Sequence, residues 1–413
     1  MREKFSDHLQ GRTLVLLLLG VASAVKMLWA AHSMGTSDLL LFYQFGTSIH
    51  YHGLTWEYQT EALFNHTPFT GWMIAALYGL WPKNYMGFAT ALRSLCVLAD
   101  IAMVLGLLHI RKLTGRPPWW ALCLFAVSPV SIMVSGFHGN IDPIMVAFLF
   151  FAAVAVLEEK PVLCAVMYAA ACNIKIVPLL VAPVFLFHWF ARGRRDGLKF
   201  MAVSGALMLA GASWGLIHCP AAFFTRVFGY GSLWGGWGIT YWLRATGARE
   251  YQIMFFEGLT PAQNHVMLAL KLLLLAGMLA LALRRRKLGG LEIFTTLGLA
   301  FTWIFVTAPG AGTQYMVWFG PFILIAWPRW WLALTAGAAI YMARFYQVTA
   351  QNHFPWNLSF PRGRQTPYWA PWTNLAWGLF VALFCWQFTL WLRARRGAPV
   401  PDAAAAGAAT GAS

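Results

Sequence analysis

Long apolar stretches separated by short polar ones follow each other along almost the whole chain. A helix needs about 20 apolar residues to cross the hydrocarbon core of a bilayer. The clearest apolar runs predict membrane-spanning helices at Thr13–Ala31, Gly87–Ile110, Pro118–Ser135, Pro143–Leu157, Phe200–Ile217, His265–Leu283, Leu291–Thr307, Met316–Trp327, Trp330–Ala343 and Trp372–Leu392. The stretch Pro161–Phe190 is interrupted by Asn173, Lys175 and Pro178, so we predict two short helices that meet at a polar apex. The fold class is therefore an all-α polytopic membrane protein.

The run Pro68–Trp81 is short, which favours a re-entrant or interfacial segment over a span. Basic residues decide its placement, because cytoplasmic loops are enriched in Lys and Arg. If this run does not cross, 19 of the 30 basic residues lie on one side: Arg2, Lys4, Arg12, Arg111, Lys112, Arg116, Lys160, Arg192, Arg194, Arg195, Lys199, Arg284, Arg285, Arg286, Lys287, Arg329, Arg393, Arg395 and Arg396. The chain then has about 12 spans, with both termini in the cytoplasm.

This topology leaves several polar segments on the outer face. They are His32–Leu80, Gly136–Asp142, His218–Asn264 and Arg344–Pro371, joined there by the apex Asn173–Lys175 and the turn Pro309–Gln314. We predict one transmembrane domain over residues 1–396, with an outer catalytic loop at 32–80. Residues 397–413 are rich in Ala, Gly and Pro and are predicted to form a disordered cytoplasmic tail.

Composition excludes a soluble globular protein. Only 11% of the 413 residues are charged, against about 25% in an average soluble domain, and mean hydropathy is +0.60. The net charge of +16 is better explained by cytoplasmic loops than by nucleic-acid binding. The six cysteines show no CxxC spacing, so neither a metal site nor a disulfide is signalled.

Two acidic outer segments are candidates for chemistry. Asp38 follows the first span, at a depth where a lipid-borne and a water-borne substrate can meet, and is our candidate general base for an acceptor hydroxyl. Its alternative role is to cap a surface helix. In the segment His138-Gly139-Asn140-Ile141-Asp142, His138 and Asp142 either face the same cavity as Asp38, or Asp142 caps the helix that Pro143 begins.

Charged residues also interrupt the apolar runs. Arg93 and Asp100 share a helix face, which predicts a structural ion pair. The side chains of Lys26 and Lys271 are long enough for their ammonium groups to reach the membrane–water interface. Lys175 lies at the apex between two short helices, which suggests an anionic ligand or partner.

Arginines in the last outer loop depart from the inside bias of basic residues. Arg362 and Arg364 can bind a phosphate through their guanidinium groups. The alternative is contact with lipid headgroups.

Several of these motifs together resemble the GT-C superfamily of integral-membrane glycosyltransferases, and in particular bacterial mannosyltransferase-like families. The motifs are Asp38 to Tyr43 after the first span, Asn65-His66-Thr67-Pro68 before a short apolar run, His138 to Asp142, Asn173-Ile174-Lys175, and Gly312-Thr313-Gln314-Tyr315 leading to Trp318 and Pro321. The chain departs from some branches in having Thr67-Pro68 where they carry two prolines, and it lacks the large soluble C-terminal domain of the oligosaccharyltransferases.

The resemblance implies transfer of a hexose, mannose by preference, from a polyprenyl-phosphate donor to a lipid or glycan acceptor. Inversion would take place in one displacement with Asp38 as the base, on the extracytoplasmic side of the inner (plasma) membrane. Neither a metal nor another cofactor is expected. The residues that it implies for substrate binding are Tyr43, His66, His138, Asp142, Lys175, Gln314, Tyr315, Arg362 and Arg364, with Lys175 and the two arginines stabilising the leaving phosphate.

Two other functions are weighed against this one. A transporter or flippase of an anionic lipid-linked saccharide would use Arg93, Asp100 and Lys175 along a path and would show two balanced halves. The polar residues instead lie on one side, which favours an enzyme. A structural subunit of an envelope-polysaccharide complex would keep the fold, but an inactive member could lose Asp38.

The charge distribution makes the topology testable. Cysteine introduced at His50 is expected to react with a membrane-impermeant maleimide in intact cells, and cysteine at Lys287 only after the cells are opened. Reaction of the Lys287 position from outside would overturn the predicted topology.

Overall fold

The structure is a computed structural model that describes residues 2–229, 234–252, 258–361 and 366–395. Within these ranges the chain is helical, and the one departure toward β-structure is an isolated bridge between Thr36 and Ser359. The predicted all-α class is confirmed, and the chain is a multi-pass membrane protein. The predicted tail at 397–413 lies outside the described residues.

The helices are numbered in chain order. Their bounds are α1 Arg2–His32, α2 Ser37–His52, α3 Leu54–Thr60, α4 Pro68–Leu80, α5 Tyr85–Thr114, α6 Trp119–Ala126, α7 Pro129–Ser131, α8 Asp142–Leu157, α9 Pro161–Ile174, α10 Ala182–Arg192, α11 Arg194–His218, α12 Pro220–Val227, α13 Gly238–Ala245, α14 Pro261–Arg285, α15 Glu292–Thr307, α16 Gly320–Ala326, α17 Pro328–Thr349 and α18 Thr366–Arg395. A π-helix at Ile132–His138 continues α7, and 3-10 turns lie at Val177–Val181, Arg249–Tyr251 and Thr313–Val317.

The lengths of these helices agree with the apolar pattern in most places. Six segments of the described chain have the length and composition to span a bilayer, and α8, α9, α15 and two helices extended by 3-10 turns are shorter apolar ones. The stretch from Pro161 divides into α9 and α10 at Lys175, as predicted. Helix α4 is only about 20 Å long, too short to cross the hydrocarbon core. Helix α17 is longer than its predicted run, because the turn after Ala343 buries Tyr346 and Thr349.

Local sequence fixes where the long helices begin and end. Helix α5 starts at Asn84, whose side chain accepts a hydrogen bond of 2.9 Å from the Gly87 N–H. It ends at Gly115, which has the left-handed backbone (φ +76°) typical of helix C-termini. Arg111 and Lys112 lie in its last turn, where the helix dipole favours cations.

Helices form a buried centre and a lipid-facing periphery. Helix α8 is apolar and mostly buried on all sides, packed between α5, α9 and α15. Helix α15 packs against α14, α16 and α18. By contrast, only 17% of the most apolar window of α11 and of α18, and 28% of that of α14, is buried. An apolar helix with this much exposed surface is stable only in lipid.

The predicted ion pair between Arg93 and Asp100 is wrong. Asp100 pairs with Lys26 of α1 at 2.6 Å, and Ser131 lies between them, accepting from Lys26 and donating to Asp100. Lys26 is 2% exposed, so its ammonium does not reach the membrane–water interface, which the sequence had allowed. The Arg93 side chain points instead toward the end of α1, which frees Asp100 for the neighbouring helix. The pair joins α1 to α5 in the middle of the bundle.

Removing one partner of this pair leaves an unpaired buried charge. Asp100→Leu is expected to destabilise the protein by about 3–5 kcal/mol, whereas Lys26→Met combined with Asp100→Leu recovers most of that loss. Thermal unfolding in detergent measures both. Asp196→Asn, at a half-exposed ion pair with Lys199, is the control and should change little. A double variant as unstable as Asp100→Leu would contradict this account.

Candidate active site

A cavity of about 610 Å³ opens where the ends of several helices meet. Its walls come from α2, the π-helix, the connection after α9, the loop before residue 316, and helices α14, α15 and α17. Residues predicted from the sequence to act in substrate binding or catalysis come together here: Asp38, His66, His138, Lys175, Gln314 and Tyr315. These residues are far apart in the sequence, so the fold itself gathers them.

Arg93 holds the segment that precedes Asp38. Its guanidinium is fully buried and donates to the carbonyl oxygens of Ala30 (2.8 Å) and Ser33 (2.9 Å), at the C-terminal end of α1. Those carbonyls have no partner within the helix, so the arginine satisfies them. The same guanidinium reaches the Gly136 and Phe137 carbonyls of the π-helix. The start of α2 is thereby fixed relative to His138.

The loop that follows α17 fixes the same segment from the other side. The Ser37 N–H donates to the Ser359 carbonyl at 2.9 Å, and the Ser359 N–H donates to the Gly35 carbonyl at 2.8 Å. The Thr36 hydroxyl donates to the His138 carbonyl at 2.9 Å. Backbone bonds on both flanks leave the first turn of α2 little freedom.

Three side-chain donors converge on one oxygen of Asp38. Its Oδ2 accepts from His138 Nε2 (3.1 Å), Asn140 Nδ2 (2.9 Å) and Gln314 Nε2 (3.1 Å). Burial raises the pKa of Asp38, but the hydrogen bonds and charges of His138, then Asn140 and Lys175, outweigh it, and the pKa lies below its ordinary value. A third of the side-chain surface still faces the cavity. The carboxylate is therefore ionised at neutral pH and accessible to a ligand.

The helix-cap alternative for Asp38 does not match the geometry. Helix α2 has Thr36 at its N-cap, and no side chain caps it. Asp38 lies in the first turn, with its carboxylate turned toward His138. Asp38 bonds to the side chain of His138, which is 100 positions away in the sequence, and not to a neighbouring backbone group.

His138 is placed by the π-helix and by two glycines. A Cβ at Gly136 would lie 3.0 Å from the Lys26 Cα, so only glycine lets α1 approach this closely. Gly139 ends the π-helix in the left-handed region (φ +74°). His138 Nε2 donates to Asp38, and its Nδ1 hydrogen-bonds with the Tyr346 hydroxyl at 2.7 Å. Tyr346 therefore fixes the orientation of the His138 ring.

Asp142 does not line the cavity, and it does not cap α8. It is fully buried and pairs through both oxygens with Lys175 Nζ, at 2.9 and 3.0 Å. Trp318 Nε1 also donates to it, at 2.5 Å. Lys175 lies 4.9 Å from the centre of the Tyr315 ring, and 13% of its side chain is exposed. Asp142 thus orients Lys175 toward the cavity rather than meeting a substrate itself.

The sequence Thr67-Pro68 has a local structural role. Pro68 begins α4, and the hydroxyls of Thr67 and Thr70 donate to the carbonyls of Asn173 and Ile174. Those carbonyls end α9 and lack partners within it. Helix α4 therefore fixes the chain that carries Lys175.

His66 is a neutral group at the cavity wall. It is 8% exposed and packs beside the rings of Phe42 (5.0 Å between centres) and Phe64 (5.7 Å). Burial, then the charge of Lys175, lowers its pKa to about 3, and the charge of Asp38 opposes this only in part. Its buried Nδ1 makes no hydrogen bond with the described residues. The ring is therefore uncharged at neutral pH, and it can form hydrogen bonds with a ligand.

Other predicted residues do not join the cavity. Tyr43 faces away from it, and its ring contacts Tyr78, Tyr85 and Phe88, each at 5.5 Å. It lies five positions after Asp38 on α2, which turns its side chain away from that of Asp38. Arg362 and Arg364 lie outside the described residues. In the described ranges, no group of three or more His, Cys, Asp or Glu side chains could hold a metal ion.

Several residues of the network were missed from the sequence. Asn140 lies inside a motif that drew attention for His138, so its amide could have been found there. Thr313 lies next to Gln314 and reaches His138 Nδ1 at 3.4 Å. Tyr346 follows an apolar run without a distinguishing pattern, and only the packing of α17 brings it to His138.

The low pKa of His66 predicts a pH dependence of stability. The unfolded chain binds a proton near pH 6.5 and the folded protein only near pH 3, so stability falls as the pH drops between these values, by up to about 1.4 kcal/mol per unit. His66→Gln is expected to flatten this slope in thermal unfolding measured from pH 7 to 4. His52→Gln, at an exposed site, should leave the slope unchanged. Equal slopes in His66→Gln and the parent protein would contradict the assignment.

Comparison with known proteins shows that part of the chain matches a protein family. Residues 55–191 match the family model described as alpha-(1->6)-mannopyranosyltransferase, N-terminal domain, of the MptA_B family. The matched range runs from α3 to α10 and includes His66, His138 and Lys175, but not Asp38. No curated protein matches the chain. The chain is a membrane glycosyltransferase that is similar, over about a third of its length, to a family of mannosyltransferases.

Proposed function

We propose that the protein transfers mannose from a polyprenyl-phosphate donor to an acceptor hydroxyl, with Asp38 as the general base. The observation that carries the proposal is the single carboxylate of Asp38, ionised and open to a cavity, with three donors on one of its oxygens. The other oxygen, Oδ1, makes no hydrogen bond with the described residues and is left to accept a proton. The family match supports mannose as the sugar.

The reaction balances without a further reactant. The acceptor oxygen attacks the anomeric carbon of the donor and forms the new glycosidic bond. The bond between that carbon and the phosphate oxygen breaks, and polyprenyl phosphate leaves as an anion. The acceptor proton passes to Asp38 Oδ1. The ionised carboxylate also opposes the positive charge that develops on the sugar ring in an oxocarbenium-like transition state.

A single displacement fixes the stereochemistry. If this chain forms the alpha-(1->6) linkage named in the family description, inversion requires a donor in which mannose is β-linked to phosphate. The acceptor is then the primary hydroxyl on carbon 6 of a hexose. A primary hydroxyl projects from its ring, so it can enter the cavity and reach Asp38 without burying the whole acceptor.

His138 and its partners act as positioning residues. A hydrogen bond from Nε2 fixes one Asp38 oxygen, and Tyr346 fixes the ring in turn. His66 and Gln314 line the same cavity and can bind sugar hydroxyls. Lys175 adds positive charge at the wall, partly compensated by Asp142. Arg362 and Arg364 remain proposals for phosphate binding, outside the described residues.

The site is proposed to work from the extracytoplasmic side of the inner (plasma) membrane. The cavity lies at the ends of α1 and α17 that we predict, from the distribution of basic residues, to be on the outer face. There a lipid-linked donor in the outer leaflet and an acceptor from the water both have access. The transporter alternative is less well supported, because Arg93 and Asp100 are buried in structural bonds and do not line the cavity.

Asp38→Asn tests the proposal. Asparagine keeps the size of the side chain, and its carbonyl oxygen can accept from His138, Asn140 and Gln314 while the amide faces the cavity. It cannot accept a proton, so turnover is expected to fall roughly 100-fold or more. The measurement is release of polyprenyl phosphate from polyprenyl-phosphate mannose by purified protein.

The control is Asp196→Asn, which removes an acidic residue of α11 remote from the cavity and should keep parental activity. Both variants must show parental thermal unfolding. A folded Asp38→Asn protein with near-normal transfer would remove Asp38 as the base, and an α-linked product formed from an α-linked donor would exclude inversion.

A further inference from the structure

Cations within the membrane-spanning region are matched by protein partners, with one exception among the described residues. Lys26 pairs with Asp100 at 2.6 Å, and Lys175 pairs with Asp142 at 2.9 Å. Arg93 donates to backbone carbonyls of α1. Lys271 of α14 makes no hydrogen bond or ion pair with any described residue. An uncompensated charge at this depth is costly, and such residues mark functional sites.

Lys271 lies far inside its helix yet lines the cavity. It follows the outer end of α14 at Pro261 by ten residues, about 15 Å along the axis. Side chains of a helix lean toward its N-terminus, which is here the outer end. The ammonium therefore points up the cavity wall toward the outer face, on the side where Asp38 lies.

The cavity reaches the lipid-facing surface beside this lysine. Leu275, one turn further along α14, lines the cavity and is 52% exposed. Phe228, at the end of α12, also lines it and is 54% exposed. Both are apolar, and α14 is one of the least buried helices. A chain of hydrocarbon can leave the cavity between them without passing through water.

We propose that Lys271 binds the phosphate of a lipid monophosphate whose hydrocarbon tail leaves the cavity between Leu275 and Phe228. The inference rests on the proposed function, since it places the donor of that reaction. A donor held in this way has its sugar directed up the cavity toward Asp38 and its tail in the bilayer. The ammonium also stabilises the negative charge that the phosphate gains as the sugar leaves.

The chemistry favours a lipid phosphate over other anions. A free inorganic phosphate can reach the ammonium from the water, but it has no apolar part to occupy the opening between Leu275 and Phe228. A phospholipid carries two acyl chains on a glycerol, whereas a polyprenyl phosphate places one chain between Leu275 and Phe228. One charged headgroup on one hydrocarbon chain matches both the lone ammonium and the apolar exit.

The test measures binding rather than turnover, so it does not depend on catalysis. Purified protein in nanodiscs of neutral phosphatidylcholine is titrated with polyprenyl phosphate and, separately, with the uncharged polyprenol, and bound lipid is counted by native mass spectrometry. The parent should prefer the phosphate, and Lys271→Met should reduce that preference about tenfold or more, because a charge-assisted bond is lost. Lys271→Arg should restore most of it.

Lys112→Met is the matched control. Lys112 is an exposed cation in the last turn of α5, at the opposite end of the bundle, and does not line the cavity. It should keep the parental preference. Removing a lone charge from a membrane helix favours insertion, so Lys271→Met is expected to fold.

Separate arms with phosphatidylglycerol and with inorganic phosphate identify the source of the anion. Displacement of polyprenyl phosphate by either at equal concentration would overturn the assignment to a lipid monophosphate. An unchanged preference in Lys271→Met would overturn the role of Lys271. Repeating the titration with Asp38→Asn keeps the two proposals apart, since that variant should bind polyprenyl phosphate as the parent does even if Asp38 proves not to be the base.

Discussion

The buried guanidinium of Arg93 holds together the two segments that build the site. It satisfies the free carbonyls at the end of α1 and reaches the backbone of the π-helix, so the residues after α1 and those around His138 share one set of bonds. Arginine suits this position because its planar group donates in several directions at once. Among the described residues, no carboxylate forms a hydrogen bond or ion pair with this guanidinium. The charge is instead spread over carbonyl dipoles, which leaves Asp38 free to act toward a ligand.

Polar groups beneath a membrane surface must be satisfied by the protein, and most charged groups around the site follow this rule. Asp142 and Lys175 compensate each other, Asp100 compensates Lys26, and three donors meet one Asp38 oxygen. Two charged groups at the cavity keep an atom without a partner among the described residues, namely Asp38 Oδ1 and the Lys271 ammonium. A buried network leaves a group unmatched at a cost. Here each unmatched group has the sign that complements a different part of a lipid-phosphate sugar.

The sequence predicted the fold more completely than the site, for a physical reason. Apolar runs and the bias of basic residues report on single helices, and they located α9 and α10 on either side of Lys175. Residue types near a span end also drew attention to Asp38 and His138. Contacts between helices leave no comparable pattern in the sequence of either helix. Three features depend on which helix faces come into contact. Asp100 pairs with Lys26 and not with Arg93, Tyr43 faces away from the cavity, and Tyr346 contacts His138.

The asymmetry of the molecule suits a reaction between a lipid and a water-borne sugar. Polar side chains gather at one end of the bundle, around a cavity with a polar wall near Asp38 and an apolar one near Leu275. A transporter would need similar polar groups along a path to both faces. In this chain Lys26 and Asp100 are buried in an ion pair with each other and do not line the cavity. This asymmetry supports the proposal that a lipid-linked donor enters from the side, next to Leu275, with its sugar directed toward Asp38.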